Sequence, residues 1–313
     1  MKHFTQVNDV TDLDALLKRA GQFKRNPFTA ARIGAQKTLI LLFFNPSLRT
    51  RLSTETAARK LGLSVISMNA NQGWKLEFEE EAIMNSDRAE HVRDAARVIS
   101  QYGDLIGIRT FPTLTDREKD YQDQVLHSFL QYATVPVISL ESAIRHPLQS
   151  LTDVMTIAEY QKTARPRIVL SWAPHPKALP QAVANSFIEW MQAVDADLII
   201  THPEGYELAP EFTGHFPVEH DQQKALEGAD FVYAKNWSSY QYYGQNIIQE
   251  NQWMITPEKM ALTNNAFFMH CLPVRRNVVV SDAVLDSPQS LVIQQAANRQ
   301  WAAQAVLEHL LKP

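Results

Sequence analysis

A chain of 313 residues with 30 Lys+Arg against 34 Asp+Glu carries a formal charge of -4. That is too small and of the wrong sign to recruit nucleic acid or an anionic membrane through its net field. Hydrophobic residues at 45% and charged residues at 20% exclude a mainly disordered chain.

The length suggests two domains. Asn8–Asp9 reads as the cap of a helix whose Val10, Leu13, Leu16, Leu17 and Ala20 share one face, closed by Asn26–Pro27. Thr38–Phe44 is a continuous apolar run, as a fully buried parallel strand shows. Helical sequence follows from Ser47 to Leu61. Ser64–Met68, Leu105–Arg109 and Val135–Leu140 are further strand candidates, with amphipathic Ala89–Gln101 among the intervening helices and Leu151–Gln161 after them. The periodicity breaks at 161–167, where the chain reads KTARPR, and this predicts a domain boundary there. The second half repeats the alternation, with strands at Ile168–Trp172, Leu198–Thr201, Phe231–Ala234 and Phe267–Cys271, and helices at Gln181–Ala193, Asp221–Glu227 and Gln294–Leu311. Strand–helix alternation predicts an α/β fold of two domains, 1–161 and 162–313, each a parallel sheet flanked by helices. The C-terminal helix is expected to pack back toward the N-terminal domain. Ligands of such folds favour the carboxyl ends of strands.

Only 10 glycines occur, less than half the usual ~7%. None forms GxGxxG or GxxxxGK[ST], so the two common glycine loops for phosphate are excluded. A phosphate must be held by side chains and a helix end. A single cysteine, Cys271, excludes an intramolecular disulfide and a cysteine-based zinc cluster, and fits a reducing compartment. The ten histidines show no HExxH-type spacing, so no metal is expected. No run of about 18 apolar residues predicts a membrane span. The opening MKHFTQVNDVTDLD lacks the hydrophobic region of a signal peptide, so a cytoplasmic location is expected.

Four segments could carry chemistry. Asn45-Pro46-Ser47-Leu48-Arg49-Thr50-Arg51 follows a strand and opens a helix. The first helical N–H groups lack internal partners and the dipole there is positive, which makes an anion site. Ser47 and Thr50 add hydroxyls; Arg49 and Arg51 add charge and bidentate geometry. The bland alternative is a capped helix with two solvated arginines. Arg109 ends a buried strand, either as a ligand or as a surface arginine paired with an acid. His146-Pro147-Leu148-Gln149 precedes a helix, and could supply an oxyanion donor and an amide partner or simply a capping loop. His270-Cys271-Leu272-Pro273-Val274-Arg275-Arg276 lies at a strand end. No base is evident for its thiol, so an inert cysteine is favoured over a nucleophile.

With these motifs in this order, SLRTR (47–51), HPLQ (146–149) and HCLP (270–273), nearly the whole chain resembles the aspartate/ornithine carbamoyltransferase family. The Ser-Met-Gly loop of the ordinary ornithine enzymes is missing. Instead there are Asn71-Gln72-Gly73-Trp74-Lys75-Leu76-Glu77, Trp172-Ala173-Pro174-His175-Pro176, Ala234-Lys235-Asn236-Trp237 and Ala261-Leu262-Thr263-Asn264-Asn265, which look like the N-acylornithine branch.

The resemblance implies an enzyme of arginine biosynthesis that needs no cofactor and works as a homotrimer with active sites shared between neighbours. It implies a carbamoyl phosphate domain at 1–161 and an acylornithine domain at 162–313. Ser47, Leu48, Arg49 and Thr50 would hold the phosphate, with Arg299. Trp74 would reach a neighbouring subunit's site. Arg109 and His146 would polarise the carbonyl oxygen, with Thr50 beside them. Gln149, next to Pro147 and Leu148, would orient the carbamoyl NH2 together with the backbone of Cys271 and Leu272. Glu141, His175, Lys235 and Arg275 would contact the acylated ornithine. The acceptor of the amine proton stays open among His146, Glu141 and the phosphate. Ala89 stands where the N-acetyl enzymes carry glutamate and the N-succinyl enzymes proline. Being small and neutral, it leaves room for succinyl, so a succinyl substrate is expected over acetyl. The chain also lacks the lysine that some acetyl enzymes carry near Val278. Aspartate carbamoyltransferase and a silent metabolite-binding relative are the other readings. Joint retention of Arg49, Arg109, His146 and Gln149 argues against the silent relative.

Overall fold

The computed structural model describes residues 1–70, 72, 74–247 and 251–312. They fold as two compact units. Met1–Thr113, Glu118–Leu148 and Arg299–Pro313 form the first; Leu114–Arg117 and Gln149–Asn298 form the second.

The first unit runs α1 (Leu13–Arg25), β1 (Thr38–Phe43), α2 (Arg49–Lys60), β2 (Ser64–Asn69), β3 (Leu76–Glu77), β4 (Glu90–His91), α3 (Val92–Tyr102) and β5 (Leu105–Arg109). Then come α4 (Arg117–Tyr121), α5 (Gln124–Tyr132), β6 (Val137–Glu141) and the start of α6 (Pro147–Tyr160). β2-β1-β5-β6 form one parallel sheet, and β3-β4 a separate ribbon. β1 and β5 are buried along almost their whole length, so both faces need apolar side chains, and this explains their unbroken runs. Ile40, Leu42, Ile106 and Ile108 meet Val92, Ala95 and Ala96 of α3 and Phe129 of α5 in one core. Gly107 sits mid-sheet because a Cβ there would come 2.7 Å from Leu41 Cδ2. Gly62 ends α2 with φ +85°, a conformation that side chains resist.

The second unit runs β7 (Arg167–Trp172), α7 (Ala182–Met191), β8 (Asp197–Thr201), α8 (Pro210–Thr213), β9 (Val218–Glu219), α9 (Gln222–Leu226) and β10 (Phe231–Lys235). It continues through α10 (Pro257–Met260), β11 (Phe267–Met269), α11 (Asp282–Leu285) and the start of α12 (Val292–Leu311). Its parallel sheet has the order β11-β10-β7-β8-β9. Val169, Val232, Ala234 and Phe268 form a core with Ile255, Val280 and Val292.

The two-sheet α/β architecture agrees with the sequence. So does the return of the C-terminal helix. In the first unit, Arg19 grips Glu308 at 2.6 Å through both Nε and Nη2, Gln304 donates to the Pro27 carbonyl, and Lys60 lies over Trp301. Several boundaries differ. Helix α6 runs unbroken to Tyr160, so the break at 161–167 marks its end, while the packing divides at 148/149. The first helix is capped by Asp12, whose carboxylate accepts from the Ala15 N–H; residues 7–9 form a separate 3-10 turn. α3 starts at Val92 because Glu90–His91 are extended and paired with β3. No helix among the described residues is long and apolar enough to cross a membrane.

Candidate active site

The strand orders locate the chemistry. In the first sheet, β2 lies on one side of β1 and β5 on the other. The chain reverses direction across the sheet there, and a crevice opens at the strands' carboxyl ends. Phe43 and Arg109 are register partners at those ends. The segment 45–50 emerges from β1 and opens α2, so the Ser-Leu-Arg-Thr motif and Arg109 meet by topology.

Thr50 is the hub. Its buried hydroxyl oxygen accepts from Arg109 Nη1 at 3.2 Å and from Arg299 Nη2 at 2.7 Å. Arg109 Nη1 also donates to Glu141 Oε2, and His146 Nε2 stands 3.5 Å from the same oxygen. All five residues are buried. Arg109 lies over the Phe111 ring at 4.6 Å, and its Nε is buried without a hydrogen-bond partner. A buried donor left unpaired costs about 1–3 kcal/mol. Two guanidinium groups, an imidazole and one carboxylate around a hydroxyl suit a small dianion whose charge grows during reaction.

The helix start is more modest than the sequence suggests. Thr50 N–H already donates to Ser47 Oγ at 3.2 Å, so Ser47 caps α2. Leu48 exposes its side chain and contributes backbone to the turn. Arg49 opens α2 half-buried. Arg51 is drawn away: it donates to Ser67 Oγ and Asn69 Oδ1 and stacks over Phe43. It holds β2, not the anion site.

Trp74 and Ala89 belong to the β3-β4 ribbon, apart from this cluster. Trp74 is exposed and donates to Glu90 Oε2; Ala89 N–H donates to the Lys75 carbonyl. Asn71 and Gly73, part of the same motif, lie outside the described residues.

The second sheet repeats the logic. β8 lies on one side of β7 and β10 on the other. Trp172 and Lys235 are register partners at the carboxyl ends. His175 follows β7, and its Nε2 accepts from Arg275 Nε at 2.9 Å. An accepting Nε2 puts the ring proton on Nδ1, which donates to the Lys177 carbonyl. Burial, then Arg275, Lys235 and Lys177, pushes the His175 pKa down against the bond to that carbonyl. His175, Lys235 and Arg275 are thus brought together as two cations and a neutral imidazole, a set whose charge suits a carboxylate. Glu141 and Ala89 belong to the first unit.

Gln149 Nε2 donates to Asp153 Oδ1 at 2.7 Å, and Gln295 Nε2 donates to the same oxygen at 2.6 Å. A carboxylate only accepts, so both amides are oriented by it. Gln295 Oε1 takes the His270 N–H, and His270 Nδ1 takes the Leu272 N–H. Leu272 has φ +56°, an uncommon conformation for a side-chain-bearing residue. Tyr233, fully buried, has its pKa pushed well up by burial and by Asp153 and Cys271 beside it. The HCLP backbone is therefore fixed by a buried polar network. Asp153, Gln295 and Tyr233 escaped the sequence reading. The Gln149/Asp153 spacing, i to i+4 on a helix, was the one available sign. Pro147 and Leu148 form the first turn of α6, with Leu148 in the core.

Residues 2–159 match the family model for the carbamoyl-P binding domain of aspartate/ornithine carbamoyltransferases, and residues 180–310 match that for the Asp/Orn binding domain. The chain is 54% identical to an N-succinylornithine carbamoyltransferase of Bacteroides thetaiotaomicron, covering 100% of this chain and 99% of the relative. It is 40% identical to an N-acetylornithine carbamoyltransferase of Xanthomonas campestris, covering 99% and 98%. A crystal structure of a glutamate-to-alanine variant of N-acetyl-L-ornithine transcarbamylase, complexed with carbamyl phosphate and N-succinyl-L-norvaline, superposes with a TM-score of 0.93 at 39% identity, covering 99% and 100%.

Proposed function

The chain belongs to the aspartate/ornithine carbamoyltransferase family, and from that membership we propose that it transfers the carbamoyl group of carbamoyl phosphate to the δ-amine of N-succinyl-L-ornithine. The products are N-succinyl-L-citrulline and phosphate, a step of arginine biosynthesis in the cytoplasm.

The observation that carries this reading is the buried Thr50–Arg109–Glu141–His146–Arg299 cluster at the first switch point. The amine lone pair attacks the carbamoyl carbon, the C–O bond to phosphate breaks, and the amine loses a proton. Charge grows on the carbonyl oxygen and on the departing phosphate. Arg109 and His146 face the former; Ser47, Arg49, Thr50 and Arg299, with the backbone of Leu48, face the latter. Donors fixed in advance toward such atoms are usually the largest catalytic effect. Positioning two substrates adds more. Gln149, whose amide is oriented by its bond to Asp153, holds the carbamoyl NH2. The carbonyls of Cys271 and Leu272 act beside it, following Pro147 and Leu148 in the family pattern. Lys235, Arg275 and His175 bind the two carboxylates of the acylated ornithine, and Glu141 is a further contact of that substrate in the family pattern. Exposed Trp74 completes the site of a neighbouring subunit in a homotrimer.

Succinyl is favoured over acetyl by two observations. The relative named for succinyl is the more similar of the two, 54% against 40%. Ala89 also removes the glutamate that the resemblance places in the acetyl enzymes, and a glutamate-to-alanine variant of such an enzyme was solved with N-succinyl-L-norvaline. The test is product formation from carbamoyl phosphate with N-succinyl-, N-acetyl- and free ornithine. Preference for N-acetylornithine overturns the acyl assignment, and activity on free ornithine alone overturns the branch.

A further inference from the structure

β8 and β9 run parallel with Ile200 opposite Val218 and Thr201 opposite Glu219. The next residue of each strand is a histidine, so the register carries His202 and His220 side by side beyond the sheet's edge. Their rings meet edge to face with centroids 5.1 Å apart. The turn after His202 then returns Glu207 to the same place. One ligand atom from each of these three residues lies within 4.8 Å of the other two.

Tautomers decide what the imidazoles offer. His202 Nδ1 is 2.8 Å from the Pro203 carbonyl, and His220 Nδ1 is 3.0 Å from the His202 carbonyl. A carbonyl oxygen has no proton to give, so both Nδ1 atoms must donate. In the neutral rings each Nε2 then carries a lone pair. An Nδ1–H held by a backbone carbonyl is the outer-sphere arrangement that orients metal-binding histidines. Burial lowers the His202 pKa, against the bond to the Pro203 carbonyl and the nearby Glu207. Glu207 takes the Gly205 N–H on one carboxylate oxygen, which fixes the turn that carries it.

We propose that His202, Glu207 and His220 form a binding site for a divalent transition-metal ion of the zinc class. Two imidazoles and one carboxylate suit zinc better than the all-oxygen shells that magnesium and calcium prefer. Tetrahedral zinc, with bonds of about 2.0–2.1 Å, needs ligand atoms about 3.3 Å apart. The three ligand atoms lie within 4.8 Å of one another, and any adjustment to that geometry falls to Glu207 and His220, which are exposed, while His202 is buried. His220 also lines an open cavity of about 340 Å³ with Asp221, Gln222 and Lys259, a route by which the ion and its fourth, water ligand enter. The ion ties the turn after β8 to the end of β9. That turn is in turn bonded to the segment after β10: Trp237 Nε1 donates to the Tyr206 carbonyl and Tyr240 N–H to the Glu207 carbonyl. The site is therefore a clip on the second unit at the carboxyl ends of β8 and β9, made of residues that the proposed transfer reaction does not use, and it holds whether or not that reaction does.

The full-length protein, stripped with a chelator, is titrated with Zn2+ by calorimetry and with Co2+ by visible absorption. One ion per chain at micromolar affinity and a tetrahedral Co2+ spectrum are expected, with a higher melting temperature on loading. His220→Ala and Glu207→Gln are exposed changes and should fold. Each should weaken Zn2+ by at least the about 10- to 100-fold that loss of a mere outer-sphere partner brings. His215→Ala, an exposed histidine on the same segment, should not. Unaltered Zn2+ affinity in both ligand variants, which would place the ion elsewhere, overturns the proposal; so does the lack of micromolar binding by the stripped protein.

Discussion

Two switch points sit in one chain, built on the same parallel-sheet rule, and they balance charge in opposite ways. At the first, Arg109 is matched inside the protein by Glu141, with His146 beside the pair and Thr50 accepting from two arginines. A buried charge with its partner removed costs about 3–5 kcal/mol, so this group is assembled before any ligand arrives. At the second, Arg275 donates to a neutral imidazole and Lys235 ends β10 nearby. The positive charge there has no carboxylate within its own set. The lesson is that one centre neutralises its cation within the protein while the other leaves its cations to be matched from outside, which is what the proposed division between a developing charge and substrate carboxylates requires.

The contrast can be broken most decisively at Arg109. Arg109→Gln should lower kcat by about 10²- to 10³-fold, the loss typical of one removed oxyanion donor. Steady-state rates at saturating substrates measure it. A change confined to KM would mean that Arg109 binds without polarising. Next in size is Arg275→Gln. Losing one charge-assisted hydrogen bond of about 1.5–3 kcal/mol should raise the KM for the acylornithine by about 10- to 150-fold and leave that for carbamoyl phosphate unaltered. If both KM values rise together, the two centres do not divide the substrates as argued.

Ala89→Glu sharpens the substrate side. A carboxylate placed opposite the succinyl carboxylate should shift the succinyl-to-acetyl ratio of kcat/KM by at least about tenfold toward acetyl. A constant ratio would place acyl discrimination elsewhere. The smallest effect concerns pH. The His175 pKa is lowered by burial, so the unfolded chain binds more protons than the folded one as pH falls below the ordinary 6.5. Stability therefore declines in that direction. The ring is partly exposed, so His175→Gln should flatten the melting temperature between pH 7 and pH 5.5 by no more than about 2 °C. A slope identical to the parent's would show that His175 is not the group responsible.

How much of this was legible depended on sequence distance. The central strands β1, β5, β7 and β10 announced themselves, because burial on both faces demands unbroken apolar runs. The edge pieces β3, β4 and β9 are two residues long, too short for any periodicity. α5 was not anticipated; it starts after Asp123 in a left-handed conformation, with no side-chain cap to mark it. Ser47, Arg49, Thr50, Arg109 and His146 were visible as motifs at strand ends. The support of Gln149 was not, because Gln295 reaches Asp153 from 142 residues away. His202, Glu207 and His220 likewise follow no helical metal spacing; a parallel strand register unites them.

The junction at Thr50 has a further consequence for how the protein is made. Its two arginine partners lie 59 and 249 residues along the chain. During synthesis the first unit can lay down its sheet early, but Arg299 arrives with α12, long after that sheet. The hydroxyl of Thr50 gains its second guanidinium only when that helix has emerged and docked. The buried Thr50 junction is therefore complete only after the residues that carry Arg299 have been made, so its assembly is tied to the docking of that helix in the first unit.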